Sequence, residues 1–204
     1  MSGTTVGHGL RGRVLADGPG PASLANAANL ITVVRILLAP VFIALLLADG
    51  GRDGVVRWIA TVLFVLAIAT DGVDGHLARS RHLVTDLGKL LDPIADKVLT
   101  GGALVCLTVL GELPWWVTAL ILVREVGITV YRFAVLSKRV VPASRGGKLK
   151  TVLQSVAISL ALAPFPHLIG SWMNAVNTVF MAAALILTVV SGVQYLVEAR
   201  RARP

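Results

Sequence analysis

Charge is scarce in this chain. Of its 204 residues 15% are Asp, Glu, Lys or Arg, against about 25% in an ordinary soluble domain. Hydrophobic residues make up 55%, and the mean hydropathy is +0.80. That balance argues against a water-soluble globular domain. A single cysteine, Cys106, excludes an intrachain disulfide and reads as a small apolar packing residue. No apolar core follows Arg11 and Arg13 before Leu30, so no cleavable signal peptide is read there. The apolar segments also lack the alternation of half-buried strands, and open sheet edges are not tolerated in hydrocarbon, so strands within a bilayer are set aside.

What the chain has instead is a series of long apolar blocks: Leu30–Leu47, Val55–Thr70, Leu87–Leu110, Trp115–Leu136, Thr151–Ile169 and Met173–Val197. A block of roughly 20 residues can cross a bilayer as a helix. The expected fold is an all-α integral membrane protein of six transmembrane helices, with both termini on one side. Residues 1–23, rich in Gly, Pro and polar side chains, read as a disordered tail. Residues 24–199 read as one membrane domain and 200–204 as a basic tail. Asn29 is available to cap the first helix. No internal repeat is visible.

The net charge of +8 is not spread like that of a nucleic-acid binder. Bases gather at both ends of the chain and at alternate loops, from Arg79 to Lys89 and from Lys138 to Lys150. The opposite loops hold Arg52 and Arg57, then Glu112 alone, then no base from Pro164 to Ser171. This positive-inside pattern makes both termini and the Asp71–Asp96 region cytoplasmic. Anionic lipid headgroups are the partner such bases face, and nucleic acid is not. Trp58, Trp115, Trp116 and Trp172 sit at block ends on the other side, as in an aromatic belt.

Four acids stand at the ends of consecutive blocks: Asp71 and Asp74, then Asp92 and Asp96. Carboxylates next to hydrocarbon are costly and persist where they bind ions, relay protons or do chemistry. Spacings of i,i+3 and i,i+4 put each pair on one face of its helix. Oxygen-only donors suit Mg²⁺, Mn²⁺ or Ca²⁺ rather than zinc or copper. Gly72, Gly75 and Gly88 let backbone and ligand come close, and Arg79 offers a planar fork to phosphate. Salt bridging to Arg79 and Lys97 is the structural alternative, with too few bases nearby for four acids. Arg35, inside the first block, either snorkels to the interface or meets an anionic ligand.

The arrangement D-x-x-D-G-x-x-A-R, eight residues, G-x-x-x-D-x-x-x-D resembles the signature of the CDP-alcohol phosphotransferases. Asp71, Asp74, Gly75, Ala78, Arg79, Gly88, Asp92 and Asp96 fill every defined position. The resemblance implies a six-helix membrane fold, usually dimeric, that moves a phosphatidyl or related group from a CDP-linked donor to an alcohol. It implies Asp71, Asp74, Asp92 and Asp96 as ligands of Mg²⁺ or Mn²⁺, with Asp96 also the general base. It implies Gly75, Arg79 and Thr85 as contacts of the cytidine diphosphate. Read alone, Asp96 remains either a base facing the acceptor or a fourth metal ligand.

Further segments are similar to the phosphatidylglycerophosphate synthase branch: Asn29 to Arg35 with Pro40, Leu91 to Lys97, Arg124 to Ile128, and Gly147 to Thr151 with Gln154. Ala28 departs from the proline often found there. The branch adds Asn29 and Thr32 to the CDP-diacylglycerol contacts, and glycerol 3-phosphate as acceptor. A dianion needs fixed cations, for which Arg124, Lys148 and Lys150 are the candidates; the alternatives are a pair of Arg124 with Glu125, and lipid headgroups for the lysines. Inositol phosphate and phosphatidylglycerol are rival acceptors. A divalent-cation transporter and an inactive scaffold are rivals of another kind. The expected setting is the bacterial plasma membrane, with a cytoplasmic-facing site in a homodimer.

Overall fold

A computed structural model of the chain describes residues 27–80, 86–135 and 145–201, with side chains over 32–70, 94–131 and 149–197. Among the described residues the structure is helical throughout. The helices are α1 (Ala27–Asp49), α2 (Val55–Ser80), α3 (Asp86–Val109), α4 (Trp115–Val135), α5 (Arg145–Leu162), α6 (Phe165–Ile169) and α7 (Trp172–Arg201). The tail read over 1–23 lies outside the described residues.

Two expectations are corrected. The block Thr151–Ile169 is not one helix, because Pro164 lacks the N–H to continue α5; the chain turns there and forms the short α6. Asn29 does not precede the first helix as a cap, since α1 starts at Ala27 and Asn29 lies within its first turn.

The turns at one end of the bundle explain why the helices stop where they do. Asp49 is buried and its carboxylate accepts the backbone N–H of Asp53 at 3.1 Å and of Gly54 at 3.2 Å, which satisfies donors at the start of α2. Gly50 (φ 62) and Gly51 (φ 76) take the left-handed backbone that this tight reversal requires. After α3, Gly111 (φ 76) lets the N–H groups of Glu112 and Leu113 return to the Leu107 carbonyl, at 2.9 and 3.1 Å, and Pro114 precedes α4.

α1 packs along both α2 and α3, α7 packs along α4 and α5, and α3 and α5 join the two groups. The shared core contains Phe42, Leu46, Phe64, Leu99, Leu104, Leu107, Ile121, Ile158 and Leu162. Small residues let backbones approach: Ala39, Ala60, Ala103, Ala157 and Ala184 are fully buried, and a Cβ on Gly102 would come within 2.7 Å of Ile43 Cδ1. Close backbone approach is the packing mode expected where lipid removes the hydrophobic drive between helices. The outer surface is apolar, with Leu37, Val62, Val65, Leu66, Val123, Val130, Val152, Val179, Ile186 and Val193 exposed. The interior holds Thr32, Arg35, Arg57, Thr61, Lys150, Gln154 and Thr188. An apolar exterior around a partly polar interior suits lipid and not water. Among the described residues, α1 and α7 contain stretches long and apolar enough to cross a membrane on length and composition alone (Thr32–Asp49 and Trp172–Val197).

Arg57 ties this end together. It is 1% exposed, and its guanidinium pairs with both carboxylate oxygens of Glu112. Its Nε donates to the Leu162 carbonyl at 2.8 Å and a terminal nitrogen donates to that of Ala161, so it caps the C-terminus of α5. Sequence patterning places it only as a loop charge. Arg57→Met is expected to destabilise the protein by on the order of 3 kcal/mol, by stranding α5 carbonyls and the Glu112 charge. Thermal unfolding in detergent checks this, and an unchanged midpoint would remove Arg57 as the tie.

Candidate functional site

The aspartates belong to the other end, where residues 81–85 join α2 to α3. Asp71 and Asp74 lie in the last turns of α2, and Asp92 and Asp96 in the first half of α3. At 1.5 Å per residue, Asp74 stands about 9 Å back from Ser80 and Asp92 about 9 Å on from Asp86. Asp71 and Asp96 stand about 14 and 15 Å from the same ends.

Of these four, Asp96 has a described side chain; it is partly buried, and its carbonyl accepts the Thr100 hydroxyl at 2.7 Å. The side chains of Asp71, Asp74, Arg79 and Asp92, with those of Asn29 and Lys148, lie outside the described residues. So does Gly75 beyond its place in α2, and Thr85 altogether.

α1 adds polar groups beside this region. Thr32 is buried, as the placement of a ligand contact inside the bundle requires. Arg35 is 3% exposed and its Nε donates to the Ala67 carbonyl at 3.2 Å, one helical turn before Asp71. That settles one alternative: Arg35 points inward and does not snorkel.

Next to Asp96 along the chain, a second cluster joins four helices. Glu125 on α4 accepts from Arg124 at 2.7 Å and from Lys150 on α5 at 2.5 Å, both on Oε1. Its Oε2 faces the Lys97 ammonium of α3 at 3.9 Å. Arg124 also donates to Ser191 Oγ on α7 at 2.9 Å. Gly192 leaves room for this arginine, since a Cβ there would stand 3.2 Å from Arg124 Cγ. Hence Arg124 and Lys150, two of the three bases read as acceptor contacts, are brought together, and through the carboxylate that offered the bland reading of Arg124.

The cluster has unfilled hydrogen-bonding capacity. Among the described residues, Arg124 Nε is buried without a partner. Gln154, one turn beyond Lys150 on the same face of α5, is 5% exposed, and its Oε1 is likewise buried without a partner among them. Orphaned buried polar atoms are uncommon and call for an explanation such as a bound ligand or ion. Sequence reading missed Ser191, which carries no motif signal, and gave Gln154 no role.

A cavity of about 720 Å³ opens at the opposite end, lined by Arg57, Glu112, Pro164, His167, Asn177 and Met181 among others. Its ionisable side chains already have partners, Arg57 with Glu112 and His167 with Asp53 at 2.7 Å. Size alone does not make it the site; the acids and the unfilled polar groups of the Glu125 cluster lie elsewhere.

Residues 25–190 match the family model for CDP-alcohol phosphatidyltransferase. The chain belongs to the CDP-alcohol phosphatidyltransferase family. A relative in Mycobacterium tuberculosis, named probable phosphatidylglycerophosphate synthase, is 47% identical over 182 residues, 89% of this chain and 85% of that protein. A Bacillus subtilis relative, named CDP-diacylglycerol–glycerol-3-phosphate 3-phosphatidyltransferase, is 38% identical over 181 residues, 83% of this chain and 93% of that protein. A Rickettsia typhi relative of the same name is 36% identical over 180 residues, 84% of this chain and 96% of that protein.

Members of the family work with a divalent metal, and the donor types here fit one: four carboxylates on two consecutive helices, α2 and α3, with no soft ligand among them. Without a cation they would repel one another. Adding Mg²⁺ to metal-stripped protein is therefore expected to raise its thermal midpoint. Asp71→Asn/Asp92→Asn should lose that rise, and a double variant that keeps it would show that the cation binds elsewhere.

Proposed function

We propose that this chain transfers the phosphatidyl group of CDP-diacylglycerol to glycerol 3-phosphate, giving phosphatidylglycerol phosphate and CMP. What supports the proposal is the presence of two unlike sets of residues, linked where Lys97, which faces Glu125, directly follows Asp96. A carboxylate set on α2 and α3 suits a cation-bound diphosphate. A basic set around Glu125 suits a second, separate phosphate. A lone diphosphate donor would not need the second cluster. The names of the relatives supply the acceptor that does.

The roles divide accordingly. Asp71, Asp74, Asp92 and Asp96 hold Mg²⁺ or Mn²⁺. That cation supplies neutralisation of charge on the diphosphate as its bond breaks. Gly75, Arg79 and Thr85, with Asn29 and Thr32 from α1, hold the nucleotide end of the donor, whose acyl chains stay in the bilayer. Arg124, Lys148 and Lys150 hold the phosphate of the acceptor. Asp96 takes the proton from the acceptor hydroxyl as its oxygen attacks the phosphorus bearing the diacylglycerol. The phosphoanhydride bond to that phosphorus breaks, and CMP leaves with the bonding electron pair.

The setting is six membrane spans in one domain, with α5 and α6 forming one of them. Both termini and the aspartates face the cytoplasm, in a bacterial plasma membrane and in a homodimer. Alternating basic loops support this topology, and so does the apolar exterior of the helices.

Purified protein with CDP-diacylglycerol and Mg²⁺ is expected to release CMP with glycerol 3-phosphate, and not with inositol phosphate or phosphatidylglycerol. Release with either of the others alone would replace the acceptor. No release with any acceptor from folded, metal-loaded protein would remove the enzymatic reading. Asp96→Asn should abolish turnover while nucleotide still binds, and normal turnover would exclude Asp96 as the base. Arg124→Ala should raise the acceptor KM at least about tenfold, the size of a lost charge-assisted hydrogen bond, with the donor KM little changed.

A further inference from the structure

Resting on that reading of the acceptor site, we infer that Glu125 is a positioning residue for glycerol 3-phosphate: its carboxylate holds Arg124, Lys150 and Lys97 at the spacing and net charge that a phosphate dianion requires. Three observations lead there.

The first is the sharing of one carboxylate among three cations from three helices. Oε1 accepts from both Arg124 (2.7 Å) and Lys150 (2.5 Å), and Oε2 faces Lys97 at 3.9 Å. A salt bridge that served only to neutralise a buried arginine would need one partner. Here three bases converge on one carboxylate, which gathers an excess of positive charge suited to a phosphate monoester dianion.

The second is the burial of Lys150, 3% exposed. An ammonium out of water is held only beside a counter-charge. Glu125 fixes Lys150 in place, one turn of α5 from the amide oxygen of Gln154, which has no partner among the described residues.

The third is the unspent capacity of the bases. Arg124 uses one terminal nitrogen on Glu125 and the other on Ser191, while its Nε is buried with no acceptor among the described residues. Ser191 in turn donates to the Thr188 carbonyl at 3.1 Å, which fixes the arginine between α4 and α7. Glu125 therefore aligns the bases without exhausting them.

A positioning role predicts a split between kinetic constants that a purely structural role would not give. With purified full-length protein, Glu125→Gln is expected to raise the glycerol 3-phosphate KM at least about tenfold, the scale of a charge-assisted contact, while kcat and the CDP-diacylglycerol KM stay within about threefold. Glu125→Asp keeps the charge one methylene further back and is expected to recover most of the loss. If Glu125 acts through Lys150, adding Glu125→Gln to Lys150→Gln should raise the acceptor KM by less than about twofold more.

Several results would overturn the inference. An unchanged acceptor KM in Glu125→Gln, with a raised one in Arg124→Ala, would sink the role of Glu125 and leave the acceptor site standing. An acceptor KM unmoved in both variants would sink the acceptor site and the inference with it. Equal rises in both KM values, or no recovery in Glu125→Asp, would reduce Glu125 to a structural tie. If Glu125→Gln does not fold, Glu125→Asp decides alone: a rise of a few-fold in acceptor KM at constant kcat is expected, and none would overturn the inference.

Discussion

Everything functional in this bundle depends on placing full charges among apolar helices and giving each a partner. An unpaired ion in hydrocarbon costs more than any packing contact returns. The protein meets that constraint in two ways at its two ends. Arg57 is matched completely, by Glu112 and by the carbonyls of Ala161 and Leu162 at the end of α5, so it fixes helices and offers nothing to a ligand. The cluster around Glu125 is matched only in part. Its three bases share one carboxylate, and polar atoms of Arg124 and Gln154 stay buried without partners among the described residues. Complete pairing makes Arg57 a strut, and incomplete pairing leaves the Glu125 cluster with capacity to take a ligand.

The same contrast explains the arrangement of the helices. The end with Gly50, Gly51, Gly111 and Pro164 is closed by tight turns, a capping aspartate and a saturated arginine. The other end receives the carboxylates of α2 and α3 and the bases of α4 and α5. α1 packs closely against α3 where Gly102 meets Ile43. The chemistry can therefore sit on helices rather than on loops, which suits a reaction that needs two phosphates held in register.

Much of this was legible in the sequence. The family was legible through the resemblance of the aspartate segment to its signature, in which Asp71, Asp74, Gly75, Ala78, Arg79, Gly88, Asp92 and Asp96 fill every defined position. Helix starts at Val55 and Trp115 coincide with the block starts, since Gly and Pro punctuate the chain before them. Three features were not legible, for physical reasons. Hydropathy is blind to the break at Pro164, because apolar residues continue on both sides of it. The inward turn of Arg35 depends on the Ala67 carbonyl, a backbone group 32 positions away that no side-chain pattern reveals. The shared role of Glu125 needs Lys97 and Lys150, which tertiary packing alone brings to it.

The central claim is that a basic cluster beside the aspartates exists to hold the phosphate of the acceptor. The most direct measurement compares kcat/KM for glycerol 3-phosphate with that for plain glycerol, by CMP release from the same protein and donor. Glycerol keeps the attacking hydroxyl and lacks the dianion. Loss of two or more charge-assisted hydrogen bonds should lower its kcat/KM by at least about a hundredfold. Equal values for the two acceptors would contradict the account, because the cluster would then hold nothing that the reaction uses.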